Sequence, residues 1–151
     1  MLIRALIAFL LLPGTVAFLI PAFWLWRSGY TSAQWPWGLL ILGLGGMGLL
    51  WCIRDFYVAG KGTLAPWSPP QNLVQIGLYR YSRNPMYVSV MLILLGWSTA
   101  YMSLSLMLYS AFIFGAFYLR VVYGEEPWLA RTYGQDWEAY VQHVPRWLFT
   151  R

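Results

Sequence analysis

The sequence predicts an all-α integral membrane protein with four transmembrane helices and a C-terminal interfacial helical segment. Three observations carry that expectation. Of the 151 residues, 60% are hydrophobic and only 10% are charged, whereas a soluble domain carries about 25% charged residues. The mean hydropathy is +0.55. Apolar runs of membrane-helix length recur along the chain, separated by short turns, one long Gly/Pro-rich connection and a charged tail. A single domain over residues 1–151 is the natural count at this length. The net charge of +5 is spread without a basic run, which argues against nucleic-acid binding and for membrane topology.

The first span is expected over residues 2–26. Arg4 ahead of an apolar stretch also suits a signal peptide, but the stretch is too long and no small-residue cleavage site follows it. Pro13 and Pro21 should kink this helix, and a bundle tolerates that when neighbouring helices satisfy the freed carbonyls. Trp24, Trp26, Tyr30, Trp35 and Trp37 then surround a polar turn, as an aromatic belt at one interface would. The second span, 37–57, contains Gly43, Gly45, Gly46 and Gly48. With no strand before them these glycines read as close helix packing rather than a phosphate loop.

Residues 58–85 form the long connection, and the glycines and prolines of Gly60–Pro70 forbid a continuous helix there. Its threonine, Trp67 and prolines suggest an ordered lid against the membrane. The third span, 86–100, is short, roughly 22 Å at helical rise. Ser103 marks a tight turn, and the fourth span follows over 104–123, where Ala111 and Gly115 form a small-xxx-small pair suited to helix contact. In the tail, 124–151, charges return, and Gly134 should split two short helices that lie on the membrane and cover part of that face.

Orientation follows from lysine and arginine. Four spans put Arg4, Arg54, Lys61, Arg80, Arg83, Arg120, Arg131, Arg146 and Arg151 on one side and Arg27 alone on the other, so both termini should be cytoplasmic. Cys52 is the only cysteine and lies in an apolar run, which precludes an intrachain disulfide. With one histidine besides, His143, a structural zinc site is not expected.

The stretch GLYRYSRNPMY, Gly77–Tyr87, holds two arginines and three tyrosines where the long connection enters a membrane helix. Asn84 suits an N-cap and Pro85 the first helical position. Unpaired N–H groups and the positive end of the helix dipole make such a place fit to hold an anion. Three polar clusters should meet at the cytoplasmic face: Tyr79, Arg80, Arg83, Asn84 and Tyr87; Arg120, Glu125 and Glu126; and His143 with Arg146. Paired carboxylates at a helix C-terminus oppose its dipole and call for a cation. They are either an interfacial pair matched by Arg83 or Arg120, or part of a working site.

GLYRYSRNPMY, a helical hairpin, and then GEEPWLARTYGQDWEAYVQHVPRW together resemble the isoprenylcysteine carboxyl methyltransferase and phospholipid methyltransferase superfamily. GKGTLAPWSPPQNLVQIG upstream resembles its small bacterial members, and the likeness covers about residues 54–149. The resemblance implies a membrane methyltransferase using S-adenosyl-L-methionine, placed in a bacterial inner membrane. Cofactor would bind between the last hairpin and the C-terminal segment, and a lipid or prenylated substrate would enter from the bilayer. By that likeness Tyr79, Arg83, Asn84 and Tyr87 match the cofactor motif, and Glu125 and Glu126 match its acidic pair. Arg146, His143 and Arg120 are candidates for substrate positioning or proton acceptance. No metal is implied.

Two departures bear on the acceptor. Many members have histidine at the position of Asn84, and carboxyl-methylating members tend to have arginine at that of His143. An amine must lose a proton, which a neutral imidazole can take. That favours a head-group amine, while Arg146 keeps a carboxylate open. Three rivals are weighed. A sterol-reductase-like NADPH enzyme would be much larger; a small transporter would carry a mid-membrane carboxylate; and a structural protein that lost the chemistry would not be expected to keep these residues.

Overall fold

The computed structural model describes residues 10–60 and 71–148, and every regular element among them is helical. The N-terminal segment is wound as a π-helix over Leu10–Leu19 and continues as α1, Ile20–Arg27. The winding changes beside Pro21, which has no N–H to donate and crowds the preceding turn. The carbonyls this frees are taken up from other helices. Trp97 Nε1 donates to Ala17 O at 2.9 Å, and Tyr109 Oη donates to Val16 O at 3.1 Å. The proline is thus accommodated by the neighbours that the sequence required.

Helix α2, Trp37–Val58, matches the expected second span, and α3, Pro85–Ala100, matches the third. Helix α4, Leu104–Arg120, starts at Ser103, whose hydroxyl accepts from Leu106 N at 3.4 Å and caps the helix. Helix α3 is the centre of the bundle. Val90, Ile93 and Leu94 are buried in a core with Ala17, Leu49 and Ile113, so α3 meets α1's rod, α2 and α4 on different sides. A helix buried nearly all round needs no polar face, and its serines turn their hydroxyls back on the helix: Ser89 to Pro85 O, Ser98 to Leu95 O. Among the glycines of α2, Gly45 lies against the α3 backbone, whereas Gly43 has nothing beside it. Gly115 on α4 is also open, with nothing among the described residues within 4 Å of a Cβ placed there.

One difference from the sequence reading lies at the end of the fourth span. The helix does not stop at Tyr123. It widens into a π-turn, Val121–Glu125, and runs on as α5, Glu126–Tyr133. Pro127 falls in the first turn of α5, and the wide turn before it absorbs the missing N–H that would otherwise break the helix. Gly134 (φ +52°) then separates α5 from α6, Gln135–His143, as expected. Among the described residues two helical stretches are long and apolar enough to cross a membrane, Trp37–Val58 and Leu104–Tyr133, while Pro85–Ala100 is apolar but shorter. The expected start of the first span and residues 61–70 of the expected lid lie outside the described residues.

Candidate functional site

The long connection returns to the bundle through a 3₁₀ turn, Gly77–Arg80, that closes over the end of α2. Gly77 has φ +56°, and Asp55 of α2 presses against it, with Oδ2 buried and without a hydrogen-bond partner. A side chain on Gly77 would overlap Asp55 Oδ2 and come within 2.9 Å of Trp51 Nε1. Gly77→Ala is therefore expected to cost about 2 kcal/mol, from backbone strain and displacement of this turn. Urea or SDS titration of the purified variant checks it, and a midpoint equal to wild type would show that the turn is not held here.

Beyond the turn, Ser82, Arg83 and Asn84 receive the C-terminal segment. Arg83 N–H donates to Pro145 O at 2.9 Å. Ser82 Oγ and Asn84 Nδ2 both donate to Arg146 O, at 3.2 and 3.1 Å. Asn84 occupies the N-cap position of α3, but its side chain makes no capping bond. The expected cap fails because that amide is spent on the tail.

The π-turn decides how the adjacent carboxylates are used, because Glu125 closes it and Glu126 opens α5. Each reaches a different partner set. Glu126 is held by three charge-assisted bonds: Arg83 Nη1 to Oε1 at 2.9 Å, Arg146 Nε to Oε1 at 2.9 Å, and Arg146 Nη2 to Oε2 at 2.7 Å. Glu125 Oε1 accepts from Tyr87 Oη and from Arg120 Nε, the latter at 2.7 Å. Arg120 Nε also donates to Tyr87 Oη at 3.1 Å, and the Tyr87 ring packs on Phe117 at 4.4 Å.

The two groups differ in depth. The Arg83 and Glu126 side chains are 7% and 15% exposed, those of Arg120 and Glu125 53% and 32%. Burial lowers the Arg83 pKa, and the Glu126 charge partly offsets this. The hydrogen bonds to Glu126 raise that of Arg146. Arg83 also lies over the Trp137 ring at 5.8 Å, and its Nε is buried without an acceptor. Three guanidinium groups thus face two carboxylates, leaving one positive charge over.

Two candidates lie elsewhere. The Tyr79 ring is buried with Cys52 and Val74 beside Phe56, and its carbonyl oxygen, not its hydroxyl, meets Tyr140 Oη at 2.7 Å. Burial pushes the Tyr79 hydroxyl pKa well above its ordinary value. His143 is exposed on α6 and lines an open cleft of about 440 Å³ with Gln75, Arg80 and Asp136. Its Nδ1 sits 2.8 Å from Ala139 O. Sequence reasoning missed Ser82, which is fully buried, and Trp137 as the aromatic floor under Arg83. Ser82 lies inside the quoted motif, but a small hydroxyl gives no signal until its acceptor is known.

The comparisons with known proteins accord with this geometry. A family model for phospholipid methyltransferases matches residues 34–136, more than half of the chain. That range takes in α2, α3, α4, the motif around Arg83 and both glutamates. No curated protein and no solved structure matches. The chain belongs to the phospholipid methyltransferase family.

Proposed function

We propose that this protein transfers methyl groups from S-adenosyl-L-methionine to a membrane-dissolved lipid or lipid-like acceptor, a head-group amine or an isoprenylcysteine-type carboxylate. The observation that carries the reading is the convergence of Arg83, Tyr87, Arg120, Glu125, Glu126 and Arg146 where the helical hairpin meets the C-terminal segment. The residues suit the cofactor. An Arg83 N–H without an acceptor, in a cluster with one positive charge over, suits a ligand carboxylate. The half-exposed Glu125 and the Tyr87 and Phe117 rings suit an ammonium or sulfonium. Of the expected cofactor residues, Arg83, Tyr87 and Glu125 would meet the ligand, and Tyr79, Asn84 and Glu126 would shape the site through the bonds they make to Tyr140, Arg83 and Arg146.

When bound, S-adenosyl-L-methionine supplies an electrophilic methyl group on a sulfonium. Displacement there needs little acid–base chemistry, so the chain's task is to orient the two reactants and exclude water. Arg120 and Arg146 are placed to position an anionic part of the acceptor. A neutral His143 that donates from Nδ1 to Ala139 O presents Nε2 as a proton acceptor at the cleft. On this reading the whole chain is one membrane domain of four spans, with both termini and the site at the cytoplasmic face of a bacterial inner membrane.

The test is calorimetric titration of the detergent-solubilised protein with S-adenosylhomocysteine, repeated in lipid nanodiscs. Binding in the roughly micromolar range, lost in Glu125→Gln, is expected. NADPH binding with no S-adenosylhomocysteine binding in either medium would overturn the reading.

A further inference from the structure

The adjacent glutamates have different partners, depths and, we propose, different tasks. Glu126 and Asn84 fasten the C-terminal segment over the site as a clasp and do not touch the ligand, whereas Glu125 does. This inference rests on the functional reading above for its ligand arm, but its structural arm stands alone.

The clasp is built from both sides. Pro145 and Arg146 offer two consecutive carbonyls, and Ser82, Arg83 and Asn84 supply three donors to them. Each is a donor-to-carbonyl bond that any sequence with Ser and Asn could make, so these bonds fix the register of the tail. The Arg146 guanidinium then reaches back to α5 and grips both oxygens of Glu126, while Arg83 takes the same carboxylate from the connection side. Glu126 therefore ties α5, the connection and the tail together through charge. Beyond the clasp, Trp147 packs on Phe114 of α4 at 5.7 Å. Before it, Trp137, Tyr140 and Val144 form a small core with Leu73 and Leu129. The tail is thus anchored at both ends and locked by charge in the middle.

A carboxylate that accepts three bonds from two guanidinium groups has little capacity left for a ligand ammonium. Freeing it would leave a buried cation without its partner, which costs several kcal/mol. Glu125 faces no such cost, because the cation it meets among the described residues is Arg120, whose side chain is 53% exposed and can turn to water. Asn84 is committed in the same way as Glu126, through Arg146 O.

The experiment combines hydrogen exchange by mass spectrometry with S-adenosylhomocysteine titration, on the full chain in nanodiscs. Glu126→Gln and Arg146→Ala are each expected to raise exchange at least about tenfold in the segments 82–84 and 144–148, because both open the clasp. Each should weaken the ligand by about tenfold or more, and the double variant should be no weaker than the single ones, since groups acting through one device do not add. Glu125→Gln should lose the ligand with exchange in both segments as in wild type. Unchanged exchange in Glu126→Gln would overturn the clasp. A double variant whose losses add would overturn the claim that Glu126 avoids the ligand. Should Glu126→Gln not fold, Ser82→Ala removes one clasp bond without altering charge and must raise exchange over 144–148. If wild type binds no S-adenosylhomocysteine, the functional reading fails and the exchange arm alone judges the clasp.

Discussion

Gly45→Ala is expected to destabilise the protein by roughly 3 kcal/mol, although alanine is the better helix former. The added Cβ would stand 2.7 Å from Ile93 N, 2.8 Å from Ile93 Cγ1 and 2.8 Å from Ser89 O. Two of these are backbone atoms of α3, which cannot turn aside as a side chain can. The helices must part or slide instead, and α3 packs against α2, α4 and the N-terminal helix alike. The same clash recurs along the seam, where Gly38 meets Ala100 and Gly96 meets Leu42. The control is Gly43→Ala on the same helix, where nothing lies within 4 Å. There only propensity acts, and the change should be neutral or stabilising by up to about 1 kcal/mol. SDS-titrated unfolding of both variants in one detergent checks the pair. Equal midpoints would mean that the α2–α3 contact is looser than these distances say.

That contrast also shows what the sequence could and could not tell. Four glycines in one apolar run announced a close helix contact, and the contact is there. Their spacing did not say which glycines make it, because the side of α2 facing α3 is set by the partner. The bounds of α2 and α3 and the break at Gly134 were legible from apolar run length and helix-breaking residues. The π-turn was not. The return of charge after Tyr123 read as an end to the helix, and a change of winding lets it continue past Gly124 and Pro127. The polar cluster was legible as a list of residues whose charges must compensate each other. Its division was hidden, since adjacent glutamates on a regular helix give no hint that one is held by two arginines, Arg83 and Arg146. Asn84 misled for a similar reason: Asn-Pro is a sound helix start, but the side chain is turned so that Nδ2 donates to a carbonyl 62 residues away and its oxygen accepts no capping bond. Asp55 looked like an ordinary span-end charge and is 2% exposed under the Gly77 turn.

Arg83→Ala and Arg120→Ala should separate stability from ligand binding. Both remove a guanidinium from a glutamate, and both pairs have N–O distances under 3 Å: 2.9 Å for Arg83 with Glu126 and 2.7 Å for Arg120 with Glu125. By contact geometry alone Arg120 would matter more. Depth reverses the order. Arg83 and Glu126 are largely shielded, so losing Arg83 strips a buried carboxylate of one cation and removes the stacking on Trp137. Breaking a buried pair costs about 3–5 kcal/mol, and because Arg146 still holds Glu126 the lower end applies. Arg120 and Glu125 are wet enough for water and salt to replace the pair, and the cost there is about 0–1 kcal/mol. Arg83→Ala should therefore lower the unfolding midpoint and loosen the tail, and its loss of S-adenosylhomocysteine should accompany that loosening. Arg120→Ala should keep the midpoint within error and weaken the ligand alone. Arg83→Lys keeps the charge without the planar fork, so it should recover only part of the stability. If Arg120→Ala destabilised the protein as much as Arg83→Ala, exposure would be the wrong guide to this cluster. Glu125 would then have to be counted with Glu126 as part of the fold.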